Sequence, residues 1–200
     1  ASQREWRLLR ARTGPAPYAG PVTSSRHPHC ARGGDDDRPV LVIGGGGLGG
    51  IAWALGLLDG LGPALPRPND WQHVVGTSAG ATVGALLLAH RLGWAVERQH
   101  HPSAEIAVDV DLAAYQQQIA RLVEGADDAN SARARIGRYA LESVTIHPDE
   151  RRAVIASRLD GAEWPADDRL TLTAVDAVTG ELVELRRESG AGLVEAVAAS

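Results

Sequence analysis

The length, composition and charge of the chain set its general class. It has 200 residues, 44% of them hydrophobic, and a formal net charge of −5. This length is enough to bury the core of one ordinary domain, while the acidic balance argues against nucleic acid as a partner and against electrostatic docking on anionic lipid. No apolar run approaches the ~20 residues that cross a bilayer. The single cysteine, Cys30, excludes an internal disulfide framework.

The stretch before residue 39 differs from the rest of the chain. Arginines recur in it among proline, glycine and serine, and no apolar periodicity is sustained. We therefore expect residues 1–38 to be a disordered or loosely attached extension, and residues 39–200 to form the domain. The stretch lacks the apolar core of a secretory signal, which predicts a cytoplasmic protein. No ligand pair with zinc-site spacing follows His27, His29 and Cys30, so no metal site is predicted there.

A glycine-rich loop follows the first predicted strand. Val40–Ile43 is a short run of β-branched and aliphatic residues, typical of a buried parallel strand. Gly44–Gly50 comes next, interrupted only by Leu48, and a helix is predicted from Ile51 to about Leu61. The order strand, glycine loop, helix is one in which bare backbone N–H groups can surround an anion.

A second strand-to-helix turn carries a serine. Trp71–Val75 is predicted to be a buried strand, and Ala79–Leu92 a helix rich in alanine and leucine. Between them, Gly76-Thr77-Ser78-Ala79-Gly80 fits Gly-x-Ser-x-Gly, the pattern of a nucleophile elbow. In such an elbow the serine sits at a sharp bend, so the residues two places before and after it must be small. The alternative is an ordinary turn in which Ser78 only caps the helix.

The two turns are expected to lie together. In a parallel sheet both loops emerge at the carboxyl edge, which places the glycine loop and Ser78 on the same side of the molecule. Acyl transfer needs such a pair, a nucleophile and backbone donors that hold the oxyanion. A side chain at Gly46 or Gly47 would obstruct the approach of a carbonyl oxygen to those donors.

These residues together resemble the patatin-like phospholipase family. The resemblance rests on the glycine loop Gly45–Gly50, on the elbow Gly76–Gly80 about thirty residues later, and on Leu172–Glu181, which is similar to a strand and hairpin further along such domains. It covers about residues 39–200. It implies an α/β fold with three layers, α/β/α, and a mainly parallel central sheet.

The resemblance also implies roles for the motif residues. Ser78 would be the nucleophile of a Ser-Asp dyad that hydrolyses acyl esters of lipids without a metal or an organic cofactor. The oxyanion hole would be formed by Gly45, Gly46, Gly47, Leu48, Gly49 and Gly50, and the elbow by Gly76, Thr77, Ala79 and Gly80. Many members carry Arg or Lys where this chain has Gly49. The implied partners are a lipid or acyl-ester substrate and, transiently, a membrane surface; no oligomeric state is indicated.

The acidic partner of the serine is expected outside the sequence in hand. In the family it is the Asp of an Asp-Gly-Gly or Asp-Gly-Ala motif that follows a segment resembling Gly192–Ser200, so we expect it beyond Ser200. Asp160-Gly161-Ala162 matches the motif literally, but it falls in a helix-to-strand loop, which emerges at the opposite sheet edge. Asp176 ends a strand and could lie at the same edge as Ser78, but Thr179-Gly180 favours a role in opening a hairpin. We interpret His73 and His90 as structural, since a dyad needs no histidine.

Other interpretations of the sequence stay open. Gly45-x-Gly47-x-x-Gly50 after a strand also fits a dinucleotide fingerprint, although that pattern requires an acidic residue at the end of the second strand, where this chain has Gly76-Thr77-Ser78. The chain could instead be a non-catalytic relative, or a fragment, that keeps the elbow without a base. Residues 95–138 are polar and helical; they could cover the site and select the acyl chain, or be solvated helices packed on the sheet.

Overall fold

The computed structural model describes residues 38–101 and 112–200. Its strands and helices are, in chain order, β1 (Val40–Ile43), α1 (Gly47–Leu61), β2 (His73–Gly76), α2 (Ala79–Leu88), α3 (Leu92–Gln99), α4 (Leu112–Val123), α5 (Ala129–Glu142), α6 (Pro148–Leu159), β3 (Leu170–Val175), β4 (Leu182–Leu185) and α7 (Leu193–Ala199). Short 3₁₀ turns lie at Gly62–Ala64, Pro68–Asp70 and Arg187–Ser189. Apart from Arg38, the predicted N-terminal extension lies outside the described residues, together with His27, His29 and Cys30.

The described strands form one sheet in the order β1, β2, β3, β4. The first three run parallel and β4 is antiparallel to β3. Gly76 at the end of β2 lies between Ile43 of β1 and Leu172 of β3. The predicted hairpin after β3 is confirmed, because the Asp176 carboxylate accepts hydrogen bonds from the N–H of Val178 at 2.9 Å and of Thr179 at 2.8 Å. The predicted α/β class with a mainly parallel sheet is therefore confirmed.

Helix α2 is at the centre of the packing. All of its residues are buried, and it crosses β1, β2 and β3 while contacting α1, α3 and α6. The core around it includes Leu55 of α1, Leu159 of α6 and Leu172 of β3. Helix α7 packs against α6 and β3, and α5 lies against the β3–β4 turn. This arrangement agrees with the three-layer α/β/α fold that was predicted. In the described ranges, none of the helices has both the length and the apolar character needed to cross a membrane.

The helix predicted over Ala79–Leu92 is wrong in its extent, because the chain forms two helices there. His90 adopts a left-handed backbone conformation with φ 57°. Its N–H donates to the Leu87 carbonyl at 3.1 Å, and the Arg91 N–H donates to the Leu86 carbonyl at 2.8 Å. This pair of bonds is a Schellman motif, which ends a helix. The sequence did not predict this helix end, because the left-handed residue of a Schellman motif is usually glycine, whereas here it is His90.

The polar region predicted at residues 95–138 contributes to three helices. It includes the end of α3, all of α4 and much of α5, while residues 102–111 lie outside the described part of the chain. Helices α4 and α5 pack on each other. The α5 backbone approaches the β3–β4 turn so closely at Gly137 that a Cβ there would overlap Ala177. A role of this region in covering the site stays a prediction.

Candidate active site

Ser78 occupies a sharp bend between β2 and α2. Its backbone has φ 54° and ψ −112°, a left-handed φ that few residues other than glycine adopt. Such a conformation is strained, and strained residues are concentrated at functional sites. The side chain is exposed, and the residue is the N-cap of α2, so the positive end of the helix dipole lies at the bend. The chain thus bends sharply at Ser78, as the Gly-x-Ser-x-Gly pattern predicts, and the catalytic role of this bend stays a prediction.

The two elbow glycines are required by close backbone contacts. A Cβ at Gly76 would lie 2.5 Å from the Gly80 carbonyl oxygen and 2.7 Å from the Ala81 Cα. A Cβ at Gly80 would overlap the Ile43 carbonyl at the end of β1. The Gly80 N–H donates to the Gly44 carbonyl at 3.1 Å. The first turn of α2 therefore packs directly against the end of β2 at Gly76 and against the end of β1 at Gly80. Neither glycine position has room for a side chain.

The glycine loop lies beside Ser78. A Cβ at Gly45 would stand 3.5 Å from the Ser78 Cβ and 4.0 Å from its Oγ, which is ordinary van der Waals contact. The Thr77 N–H donates to the Ile43 carbonyl at 3.0 Å and fixes the two turns to each other. The predicted meeting of the two loops at one sheet edge is confirmed.

Helix α1 begins earlier than the sequence indicated. The prediction placed its start at Ile51, but Gly47–Gly50 already forms the first turn, and the Gly50 N–H donates to the Gly46 carbonyl at 2.9 Å. Only Gly44, Gly45 and Gly46 precede the helix. Glycine has low helix propensity, which is why the sequence favoured a loop over this stretch. The first N–H groups of a helix have no partner within it, so the start of α1 adds bare backbone donors directly after the loop residues Gly44–Gly46.

Two contacts at the elbow come from residues far along the chain. The Ser78 N–H donates to the Ser200 Oγ at 2.8 Å, and the Thr77 and Thr173 hydroxyls lie 2.6 Å apart. Helix α7 therefore brings its C-terminal end to Ser78. Neither contact has a signal in the sequence, since both depend on the way α7 and β3 pack.

Comparison with known proteins decides the family. The family model described as Patatin-like phospholipase matches residues 41–200. The chain belongs to the patatin-like phospholipase family. No curated protein and no solved structure is detectably similar to it. The match includes the glycine loop, the elbow and α7, and it supports lipid acyl hydrolysis as the general class of function.

The aspartates that resemble a patatin-like base are both engaged in structural roles. Asp160 has φ 48° at the end of α6, and its carboxylate forms an ion pair with Arg91 at 2.6 Å. Arg91 follows the C-terminal end of α2, whereas Ser78 precedes the N-terminal end of the same helix. The 10 residues of α2, about 15 Å, therefore separate the Asp160–Arg91 ion pair from Ser78. Asp176 binds the turn amides of the hairpin. These contacts agree with the structural interpretation of both residues, which stays a prediction.

His73 is a part of the sheet. Its Nε2 lies 2.8 Å from the Thr171 Oγ1 on the neighbouring strand. Burial, and secondarily the charge of Arg186, hold the pKa of this imidazole below its usual value, while Asp168 and Glu184 oppose the shift. No group of three or more histidine, cysteine or acidic side chains in the described ranges is placed to hold a metal ion.

A first prediction concerns the close contact at Gly80. Gly80→Ala should lower the free energy of unfolding by about 1–3 kcal/mol, because the added methyl overlaps the end of β1. Gly49→Ala is the matched control: nothing lies within 4 Å of a Cβ at Gly49, so this change should leave stability equal or raise it by up to about 1 kcal/mol. Urea unfolding followed by circular dichroism measures both. Equal stability of the two variants would contradict the packing described for the elbow.

A second prediction follows from the lowered pKa of His73. The unfolded state binds more protons than the folded state between the folded pKa and about 6.5. Stability should therefore fall as the pH is lowered through this window, and be insensitive to His73 above it. His73→Gln should show a shallower loss of unfolding free energy between about pH 7 and pH 5 than the unsubstituted protein. Parallel pH profiles of the two proteins would contradict the assignment.

Proposed function

We propose that this protein is a serine acyl hydrolase, a phospholipase or esterase that cleaves carboxylic esters of lipids. The observation that supports it best is the contact between the glycine loop and a strained, exposed serine, with Gly45 against Ser78. A nucleophile and neighbouring backbone donors are the two parts that ester cleavage requires. Family membership supports the lipid class of the substrate.

The chemistry proceeds in two steps. The Ser78 oxygen attacks the ester carbonyl and gives its proton to a base, and the carbonyl oxygen becomes an oxyanion. When the tetrahedral intermediate collapses, the bond to the alcohol oxygen breaks, and the base returns the proton to the leaving alcohol. Water then attacks the acyl-serine through the same base, which releases the fatty acid and restores the hydroxyl.

The oxyanion hole is assigned to backbone groups. We propose that N–H groups among Gly45–Gly49 hold the oxyanion, with Gly46 and Gly47 kept free of side chains for its approach. The Gly50 N–H, which the sequence also suggested, already donates to the Gly46 carbonyl. The start of α1 contributes unpaired amides, and the start of α2 adds the favourable field of its dipole. These donors are part of the backbone and need no cofactor.

The base is proposed to be an aspartate that follows Ser200 in the family's motif. Two observations support a base that comes from the residues after α7. The Ser200 hydroxyl accepts the Ser78 N–H, so residues after α7 would start at the nucleophile. Asp160 and Asp176 are engaged elsewhere, in the ion pair with Arg91 and in the hairpin turn. The cytoplasmic location expected from the sequence stays a prediction.

The prediction for this function compares neighbouring glycines. In the full-length protein, Gly45→Ala should lower the rate of ester hydrolysis by up to about 10²–10³-fold, the loss typical of one oxyanion donor, because the added methyl would lie 3.5 Å from the Ser78 Cβ and 4.0 Å from its Oγ, where the substrate must approach. Gly44→Ala is the matched control: no atom lies within 4 Å of a Cβ there, so its rate should change little. Hydrolysis of a water-soluble p-nitrophenyl ester measures both, with Ser78→Ala as the baseline.

Three outcomes would contradict the proposal. Activity that survives Ser78→Ala would exclude Ser78 as the nucleophile. Equal activity of the Gly45→Ala and Gly44→Ala proteins would exclude this position of the oxyanion hole. Saturable binding of NAD or NADP, with no esterase activity, would favour the dinucleotide interpretation of the glycine loop.

A further inference from the structure

Helix α7 holds the hydroxyl of Ser200 against the backbone of Ser78. Ser200 follows α7 directly, and its Oγ accepts the Ser78 N–H at 2.8 Å. The Ser200 N–H donates to the Ala196 carbonyl at 3.1 Å, so the last turn of α7 fixes the place of this residue. Ala196 and Val197 are buried, and α7 packs against α6 and β3. The position of the Ser200 hydroxyl therefore depends on the packing of α7.

The Ser78 N–H requires an acceptor from outside α2. Ser78 is the N-cap of that helix, and the N–H groups at a helix start have no partner within the helix. Its carbonyl is already engaged in the helix, because the Ala81 N–H donates to it at 3.0 Å. The bond to Ser200 holds the other side of the Ser78 backbone. With both backbone groups held, the direction in which the Ser78 side chain leaves the chain is set.

The conformation that these bonds hold is a strained one. Ser78 has φ 54° and ψ −112°, and a residue in such a region keeps its conformation only where its surroundings enforce it. The preceding residue is held by the sheet, since the Thr77 N–H donates to the Ile43 carbonyl at 3.0 Å and the Thr77 and Thr173 hydroxyls lie 2.6 Å apart. Ser200 is thus the contribution of α7 to a bend that β1, β3 and α2 also hold.

We propose that Ser200 is a positioning residue for the nucleophile: its hydroxyl holds the Ser78 backbone so that the Ser78 Oγ lies beside the glycine loop. Ser200 acts through Ser78 and touches no reacting atom. The position matters because a displacement of about 1 Å at a reacting group can lower the rate about 10²-fold. The role in catalysis rests on the proposed function, whereas the hydrogen bond itself does not.

Ser189 offers a matched control. Its Oγ accepts the Arg186 N–H at 2.9 Å, which is the same kind of bond over nearly the same distance, and both serines are half-buried. The Arg186 side chain forms an ion pair with Asp168, which precedes β3, so this turn lies toward the amino end of β3 and away from Ser78. Ser189→Ala therefore removes an equivalent bond outside the candidate active site.

The kinetic test compares Ser200→Ala with Ser189→Ala in the full-length protein. We expect Ser200→Ala to lower kcat for a water-soluble p-nitrophenyl ester by about 10–10²-fold, because the serine oxygen is no longer held in the attacking position. KM should change little, since the groups that bind the ester stay in place. Ser189→Ala should leave both kcat and KM unchanged.

Amide hydrogen exchange measures the hydrogen bond without the reaction. In ¹⁵N-serine-labelled full-length protein followed by NMR, the Ser78 amide should exchange slowly. Ser200→Ala should speed its exchange about tenfold or more, because the acceptor is lost. Ser189→Ala should leave the Ser78 amide unchanged, which separates loss of this bond from a general loss of stability.

The outcomes distinguish this proposal from the proposed function. Equal kcat values in the Ser200→Ala and Ser189→Ala proteins, or a raised KM with kcat unchanged in Ser200→Ala, would overturn the positioning role while the hydrolase stands. Unchanged exchange of the Ser78 amide in Ser200→Ala would overturn the contact itself. Exchange that depends on Ser200 in a protein that hydrolyses no ester would confirm the contact and overturn the proposed function, and the role in catalysis with it.

Discussion

The close approach of α2 to the end of β1 is the constraint on which the rest of the site depends. Gly80 can lie against the Ile43 carbonyl only because it has no side chain. That contact sets the start of α2 at the end of β1, and the bond from the Gly80 N–H to the Gly44 carbonyl sets the glycine loop beside it. The strain at Ser78 follows, since the chain must turn from β2 into α2 within two residues, Thr77 and Ser78. Packing of this kind tolerates few substitutions because protein interiors are dense.

The parts of the site that the sequence predicted are those with a local steric cause. Glycines two residues before and after a serine, after a buried strand, have few explanations other than a sharp turn into a helix. The parallel order of β1 and β2 then places the two loops at one edge, as the rule for open sheets requires. The structural interpretation of Asp160 agrees with the edge argument, because a helix-to-strand loop lies at the other edge from Ser78. Asp176 follows β3 at the same edge as Ser78, and its interpretation depended on the turn residues after it.

The rest of the site depends on tertiary packing that no local pattern reveals. The contact of Ser78 with Ser200 joins residues 122 positions apart in the sequence. The contact of Thr77 with Thr173 joins residues 96 positions apart. The early start of α1 was missed because consecutive glycines are poor helix formers, yet tertiary context overrides that propensity here. The break at His90 was missed for the opposite reason, since a residue other than glycine adopts the left-handed conformation.

The central claim is that Ser78 is an activated nucleophile, and covalent labelling tests it most directly. The full-length protein would be treated with a fluorophosphonate, which phosphonylates serines that act as nucleophiles, and then digested and mapped by mass spectrometry. The account predicts one adduct, on the peptide that contains Ser78, and its loss in the Ser78→Ala protein. An unlabelled protein, or an adduct on another serine that persists in Ser78→Ala, would contradict the account.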